Sequence, residues 1–125
     1  MKDKNFFLSG WVPAIGAALV IICLSVSLTV MFRPLYYFDI EHLQISEISG
    51  YTPQECRENY DALIDYNLLF GDKELVFPDM DMSREGRIHF EEVKAIFISM
   101  QIISAAGLAA LAAWVIRIRK NGAGR

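Results

Sequence analysis

The chain has two histidines, His42 and His89. The second stands in Gly86-Arg87-Ile88-His89-Phe90-Glu91-Glu92-Val93-Lys94, directly ahead of a long uncharged stretch. An imidazole exchanges protons close to neutral pH, so at the edge of an apolar segment it suits a general base working on a lipid-attached substrate. Partial burial there would favour its neutral, base-competent form. Read from its local sequence alone, His89 is favoured as a plain structural histidine at the head of an apolar helix face. Other reactive arrangements are missing. No serine–histidine triad is discernible, and Cys23 and Cys56 have no histidine near them in sequence. The two histidines and the scattered acids do not reach metal-site spacing.

A second chemistry overlaps the first. From Asp81 to Glu92 the chain matches a calcium loop, with Asp81, Ser83 and Glu85 at the first, third and fifth positions, Gly86 at the sixth, Ile88 at the eighth and Glu92 at the twelfth. Against this, Pro78 sits where the entering helix should be, and there is no second loop to pair with it. No metal site is assigned.

The elements that must position these residues begin with two apolar runs. The apolar fraction, 54 %, exceeds the usual 45–50 % of soluble chains. Residues 5–32 and 95–116 account for the excess, each free of ionisable side chains. As helices they reach roughly 42 and 33 Å, enough for a hydrocarbon core of about 30 Å. The first run is too long for the apolar part of a cleaved signal peptide and lacks a small-residue cleavage site, so it reads as an uncleaved signal anchor. The expected class is a mainly α membrane protein with two transmembrane helices flanking a small, mostly helical segment.

Charge sets the expected orientation. Outside the runs, the chain ends hold Lys2, Lys4, Arg117, Arg119, Lys120 and Arg125 against Asp3, whereas residues 33–94 hold fourteen acids and six bases, consistent with the net charge of −3. Basic flanks stay cytoplasmic. Residues 1–32 are thus expected to be the cytoplasmic N-terminus and first span, 33–94 an extracytoplasmic segment, 95–117 the second span, and 118–125 a basic cytoplasmic tail. The acidic segment argues against nucleic acid as a partner. Cys23 and Cys56 cannot pair under this topology, and Cys56 reads as a small buried apolar group.

Within the segment, Arg33-Pro34 closes the first span, and Leu35-Tyr36-Tyr37-Phe38 reads as an aromatic belt at headgroup level. Thr52-Pro53-Gln54-Glu55 predicts a capped helix running to about Phe70 and ending at Gly71. Cys56, Tyr60, Leu63 and Asn67, with Ile64 and Phe70, form its buried stripe; Asn67 is expected to bind a carbonyl at the helix end. Residues 74–77 are β-prone. The last helix is expected to start near Gly86 and to continue into the second span, with His89, Val93, Ile96, Phe97 and Met100 on one face. Small residues at Gly10, Ala14, Gly16, Ala17 and Ala18, and from Ser104 to Ala110, allow the spans to approach each other or a further helix.

Tyr60-Asp-Ala-Leu-Ile-Asp-Tyr66-Asn67, Phe77-Pro78 and Ser83-Arg-Glu-Gly-Arg-Ile-His89-Phe-Glu-Glu92-Val93-Lys94 together resemble the bacterial lipoprotein intramolecular transacylases. These are integral membrane enzymes that move the sn-2 ester acyl chain of a diacylglyceryl-cysteine to its α-amine, giving a lyso-form lipoprotein. The resemblance covers nearly the whole chain and implies an acyltransferase with His89 as base and Tyr66, Asn67, Glu92 and Lys94 as binding or positioning residues. Asn67, Tyr66 or the N–H groups near Gly86 would stabilise the oxyanion. It implies no cofactor. The partners it implies are a diacylglyceryl-modified lipoprotein, membrane lipid, and a second copy or another chain completing the bundle. Family members have four spans, so this chain resembles a two-span, shortened member. The competing reading is a non-catalytic membrane protein whose acidic segment binds a partner or calcium.

Overall fold

Hydrophobic periodicity predicts helices, and in the computed structural model every regular element among the described residues is helical: α1 (Asp3–Met31), α2 (Arg33–His42), α3 (Ile45–Ser49), α4 (Pro53–Asn67) and α5 (Arg84–Gly122). The structure describes the backbone of residues 3–122 and the side chains of residues 11–121. Lys2, Asp3, Lys4 and Arg125, which carry part of the charge argument, and Gly10 of the small-residue stripe lie outside the described side chains. Two helices are long and apolar enough to cross a membrane, α1 over Trp11–Met31 and α5 within Arg84–Asn121. Only 11 % and 6 % of their apolar windows is buried. A core helix of a water-soluble protein would be mostly buried, whereas helices in contact with lipid expose such side chains.

The chain divides into two compact units, residues 1–26 with 100–125, and residues 27–99. In the first unit α1 and α5 approach closely at Gly107, where a β-carbon would fall 2.4 Å from a methyl of Val20. That approach is what a small-residue stripe permits. Cys23 and Ser104 are buried, and the Ser104 hydroxyl donates to its own helix at Met100 O (2.8 Å). An apolar groove of about 330 Å³ runs beside the contact, lined by Gly16, Ala17, Val20, Ile21, Gly107, Ala110 and Leu111.

In the second unit α2 and α3 pack on α4. The core holds Ile40, Cys56, Ile64, Tyr66 and Leu75, together with Asn59 and Asn67. The start of α4 is as expected: Glu55 N–H donates to Thr52 Oγ1 (3.2 Å), and the Glu55 carboxylate accepts from Thr52 N–H (2.7 Å). Asn59 is fully engaged. Its amide donates to Glu55 O (2.7 Å) and Asp79 Oδ2 (3.1 Å), and its oxygen accepts from Asp79 N–H (3.3 Å).

Several expectations are corrected. Residues 35–38 are part of α2, which turns Tyr36 onto Tyr60 (rings stacked at 4.0 Å). Helix α4 ends at Asn67, three residues early, because Leu68 takes an extended conformation (φ −72°, ψ 150°). Phe70 therefore leaves the buried stripe and is 96 % exposed. Gly71 is required for a different reason than a helix stop. A β-carbon there would sit 1.8 Å from Asp65 O, so only glycine lets the returning chain pass the end of α4. Residues 74–77 form no strand, since no neighbouring strand offers partners for their backbone groups. Leu75 alone of the four is buried.

Candidate active site

The candidate residues sit on the last turn of α4, on the connection over residues 68–83, and on the first turns of α5. Helix α5 begins at Arg84 rather than near Gly86, because Ser83 caps it: Gly86 N–H donates to Ser83 Oγ (3.0 Å) and Arg87 N–H to Ser83 O (3.0 Å). This corrects two further readings. The Gly86 N–H is committed to the cap and is not an oxyanion donor. Residues 84–92 are helical, so Glu85 and Glu92 cannot curl round an ion with Asp81 as a calcium loop requires. Among the described residues no group of three or more His, Cys, Asp or Glu side chains could hold a metal ion.

His89 is exposed, its ring 5.6 Å from that of Phe90, which in turn meets Phe77 edge-on at 5.8 Å. At about 100° per residue, Glu85, His89 and Glu92 share one side of α5, and Arg87, Glu91 and Lys94 share the opposite side. Glu92 is exposed as well.

The opposite side carries the tertiary contacts. The Lys94 ammonium lies over the ring of Tyr66, 4.0 Å from its centroid, and donates to Asp72 O. Arg87 pairs with Glu74 at 2.5 Å. Tyr66 and Asn67 are both buried, and the Asn67 amide donates to Leu63 O (2.8 Å), the carbonyl binding expected at the helix end. A cavity of about 320 Å³ opens here, lined by Tyr66, Lys73, Glu74, Leu75, Arg87 and Glu91. Burial pushes the Tyr66 phenol above its ordinary pKa and Glu91 adds to this, against the pull of Arg87. The structure thus brings Lys94 onto Tyr66, with Asn67 buried beside Tyr66 in the chain and bonded within α4, and leaves His89 and Glu92 on the other side of α5.

A polar cluster at the foot of α1 was missed by sequence reasoning. Arg33 pairs with Asp61 (3.0 Å) and Asp65 (2.5 Å), and the Tyr37 hydroxyl donates to Asp61 (2.6 Å). Tyr60 donates to Val30 O, a carbonyl of the last turn of α1 (3.0 Å). Burial works against the Arg33 charge, but the two carboxylates outweigh it and raise its pKa. The hydrogen bond to Asp61, with burial, holds the Tyr37 phenol above its ordinary range despite Arg33. The available signal was Asp61 and Asp65 four apart on one helix face, with Arg33 the first cation after the span.

Comparison with known proteins bears on what this arrangement is for. Residues 12–124 match the family profile described as lipoprotein intramolecular transacylase Lit. No curated protein matches the chain. Among solved structures, the chain is similar to the membrane-integral lipoprotein intramolecular transacylase Lit from Bacillus cereus, with 32 % identity and a TM-score of 0.79 over 97 % of this chain and 56 % of that one. A form of that protein with a histidine replaced by arginine matches at 30 % identity and a TM-score of 0.72, over 97 % of this chain and 58 % of that one. A form with a histidine replaced by alanine matches at 31 % identity and 0.70, over 94 % and 57 %. The chain therefore spans a little over half the length of these relatives. With the family profile matching residues 12–124 and a membrane-integral structure of that description similar over 97 % of the chain, the chain belongs to the lipoprotein intramolecular transacylase family.

Proposed function

We propose that the protein carries out intramolecular acyl transfer on bacterial lipoproteins, moving the sn-2 ester acyl chain of the diacylglyceryl-cysteine to the cysteine's α-amine. The observation that carries this reading is the family match over residues 12–124. His89 is the proposed base. It is one of two histidines, it is exposed on α5 a turn and a half ahead of the uncharged run, and two of the similar structures were solved with a histidine replaced.

In the proposed reaction the neutral imidazole of His89 takes a proton from the α-ammonium. The freed amine attacks the ester carbonyl of the same molecule, forming the C–N bond and a tetrahedral oxyanion. Collapse breaks the C–O bond to the glyceryl sn-2 oxygen, which takes its proton from the imidazolium. The nitrogen loses its second proton to solvent on collapse, so the product is an N-acyl, S-monoacylglyceryl cysteine, His89 returns neutral and one proton is released per turnover. Amine and ester belong to one substrate, so orientation supplies much of the acceleration. Tyr66, Asn67 and Lys94, on the side of α5 away from His89, are proposed as positioning residues that hold the end of α4 and the start of α5 in place. Glu92, on the side of α5 shared by His89, is proposed to orient the substrate ammonium.

The proposed setting is the bacterial cytoplasmic membrane, with both termini cytoplasmic and residues 33–94 on the extracytoplasmic face. The basic flanks Arg117, Arg119 and Lys120 and the acidity of residues 33–94 support this orientation. The groove at Gly16, Ala17 and Gly107 would lie along acyl tails or a further helix from a second copy or another chain.

The test is mass spectrometry of the N-terminal peptide of a reporter lipoprotein in bacteria that lack other N-acylating enzymes. The expected result is N-acyl, S-monoacylglyceryl cysteine with the protein and unchanged diacylglyceryl cysteine with His89→Gln. Unchanged substrate with both, with membrane insertion verified, would sink the proposal.

A further inference from the structure

Helix α2 turns one side inward and leaves the other uncovered. Tyr36 and Ile40 face α4, and Tyr37 is tied to Asp61. Leu35 and Phe38 lie on the opposite side, 46 % and 61 % exposed, with His42 stacked on Phe38 at 5.1 Å. Helical geometry places the carboxylates of Asp39 and Glu41 at the two borders of this stripe, not within it. Beyond the helix, Leu43 and Ile48 are also exposed, 55 % and 83 %.

What covers this row is indicated by where it starts. Leu28 and Phe32, in and just after the last turn of α1, are 61 % and 58 % exposed. Leu28, Phe32, Leu35 and Phe38 thus form one row that leaves the outer face of a membrane-spanning helix and passes onto α2 with no charged residue in it. The break between the helices is the single residue Phe32. Arg33 lies on the inward side of α2, where it pairs with Asp61 and Asp65.

We propose that the outer face of α2 lies against the lipid surface as an interfacial amphipathic helix. The lipid that contacts Leu28 continues under Leu35 and Phe38. Bordering acids and a stripe of two or three apolar residues suit shallow seating at the headgroup boundary, not deep insertion.

The experiment places a tryptophan as reporter in the full chain, reconstituted in phosphatidylcholine vesicles. Trp11 and Trp114 are replaced by phenylalanine and the reporter is introduced as Phe38→Trp, with Leu35→Trp as a second, independent position. The expected result is a blue-shifted emission and loss of intensity with lipids bearing a nitroxide near the headgroup, with weaker loss when the nitroxide lies deep in the acyl chain. Water-like emission without quenching at both positions would overturn the proposal. So would blue-shifted emission that neither lipid quenches, which would mean that protein, not lipid, covers the face.

Discussion

Replacing Gly71 by alanine tests whether the connection over residues 68–83 is held by contact with the end of α4. A β-carbon at Gly71 would lie 1.8 Å from Asp65 O and 3.0 Å from Leu68 O. Both are backbone atoms of the helix end, which cannot swing aside as a side chain can. Reaching ordinary contact at 3.4 Å requires a displacement of about 1.6 Å, the difference of the two distances. That displacement opens the hydrogen bond from Gly71 N–H to Leu68 O, now 2.9 Å, and moves the neighbouring Asp72 carbonyl that holds Lys94. Overpacking strain of about 1–3 kcal/mol and a lost hydrogen bond of about 1 kcal/mol give roughly 2–4 kcal/mol. Because whole-domain stability is about 5–15 kcal/mol, the fold should survive while the connection loosens. Hydrogen exchange read by mass spectrometry should show faster exchange over residues 68–76, with residues 56–64 of α4 little changed. If exchange in 68–76 matched the wild type, the close approach at Gly71 would be wrong and so would its role in presenting Asp72 to Lys94.

Two further outcomes follow from other sites. Gly107→Ala should weaken the α1–α5 contact, since its β-carbon would meet Val20 at 2.4 Å, whereas Gly16→Ala, with nothing within 4 Å, should be neutral or stabilising by about 0.5–1 kcal/mol; thermal unfolding in detergent micelles ranks the two, and the reverse order would refute the packing. The hydrogen bond from Thr52 N–H holds the Glu55 carboxyl below its ordinary pKa near 4.5. A depressed folded value means the cap's contribution is present above that ordinary range and lost as the pH falls through the folded value; Glu55→Gln should flatten this acid dependence of unfolding, and an unchanged profile would count against it.

The helices were legible where one residue type fixes a local conformation. Thr52, Pro53 and Glu55 announce the start of α4, and uncharged runs of membrane length announce the spans. The end of α4 was not legible, because the chain leaves the helix at Leu68 to let Gly71 return past Asp65, a contact between positions that no pattern of polarity records. Ser83 was legible in principle as a cap and was absorbed instead into a calcium-loop spacing that its helix contradicts. Candidate residues were named from the family resemblance, yet which of them meet depended on helix phase. Lys94 falls on the side of α5 that faces Tyr66, His89 on the other. The Arg33–Asp61–Asp65 cluster needed the tertiary path, since Arg33 and Asp65 stand thirty-two residues apart.

In the proposed transfer of an acyl chain to an amine, the seat of Lys94 has a consequence of its own. Any lysine near the reacting ester is a rival acceptor, and acylation of its own side chain would inactivate such an enzyme by its own chemistry. Lys94 is the one lysine in residues 84–119. Its ammonium lies over the Tyr66 ring and donates to the Asp72 carbonyl. The contact with Tyr66 holds the Lys94 nitrogen on the side of α5 away from His89, so in the proposed reaction it is kept apart from the base and from the ester the base serves.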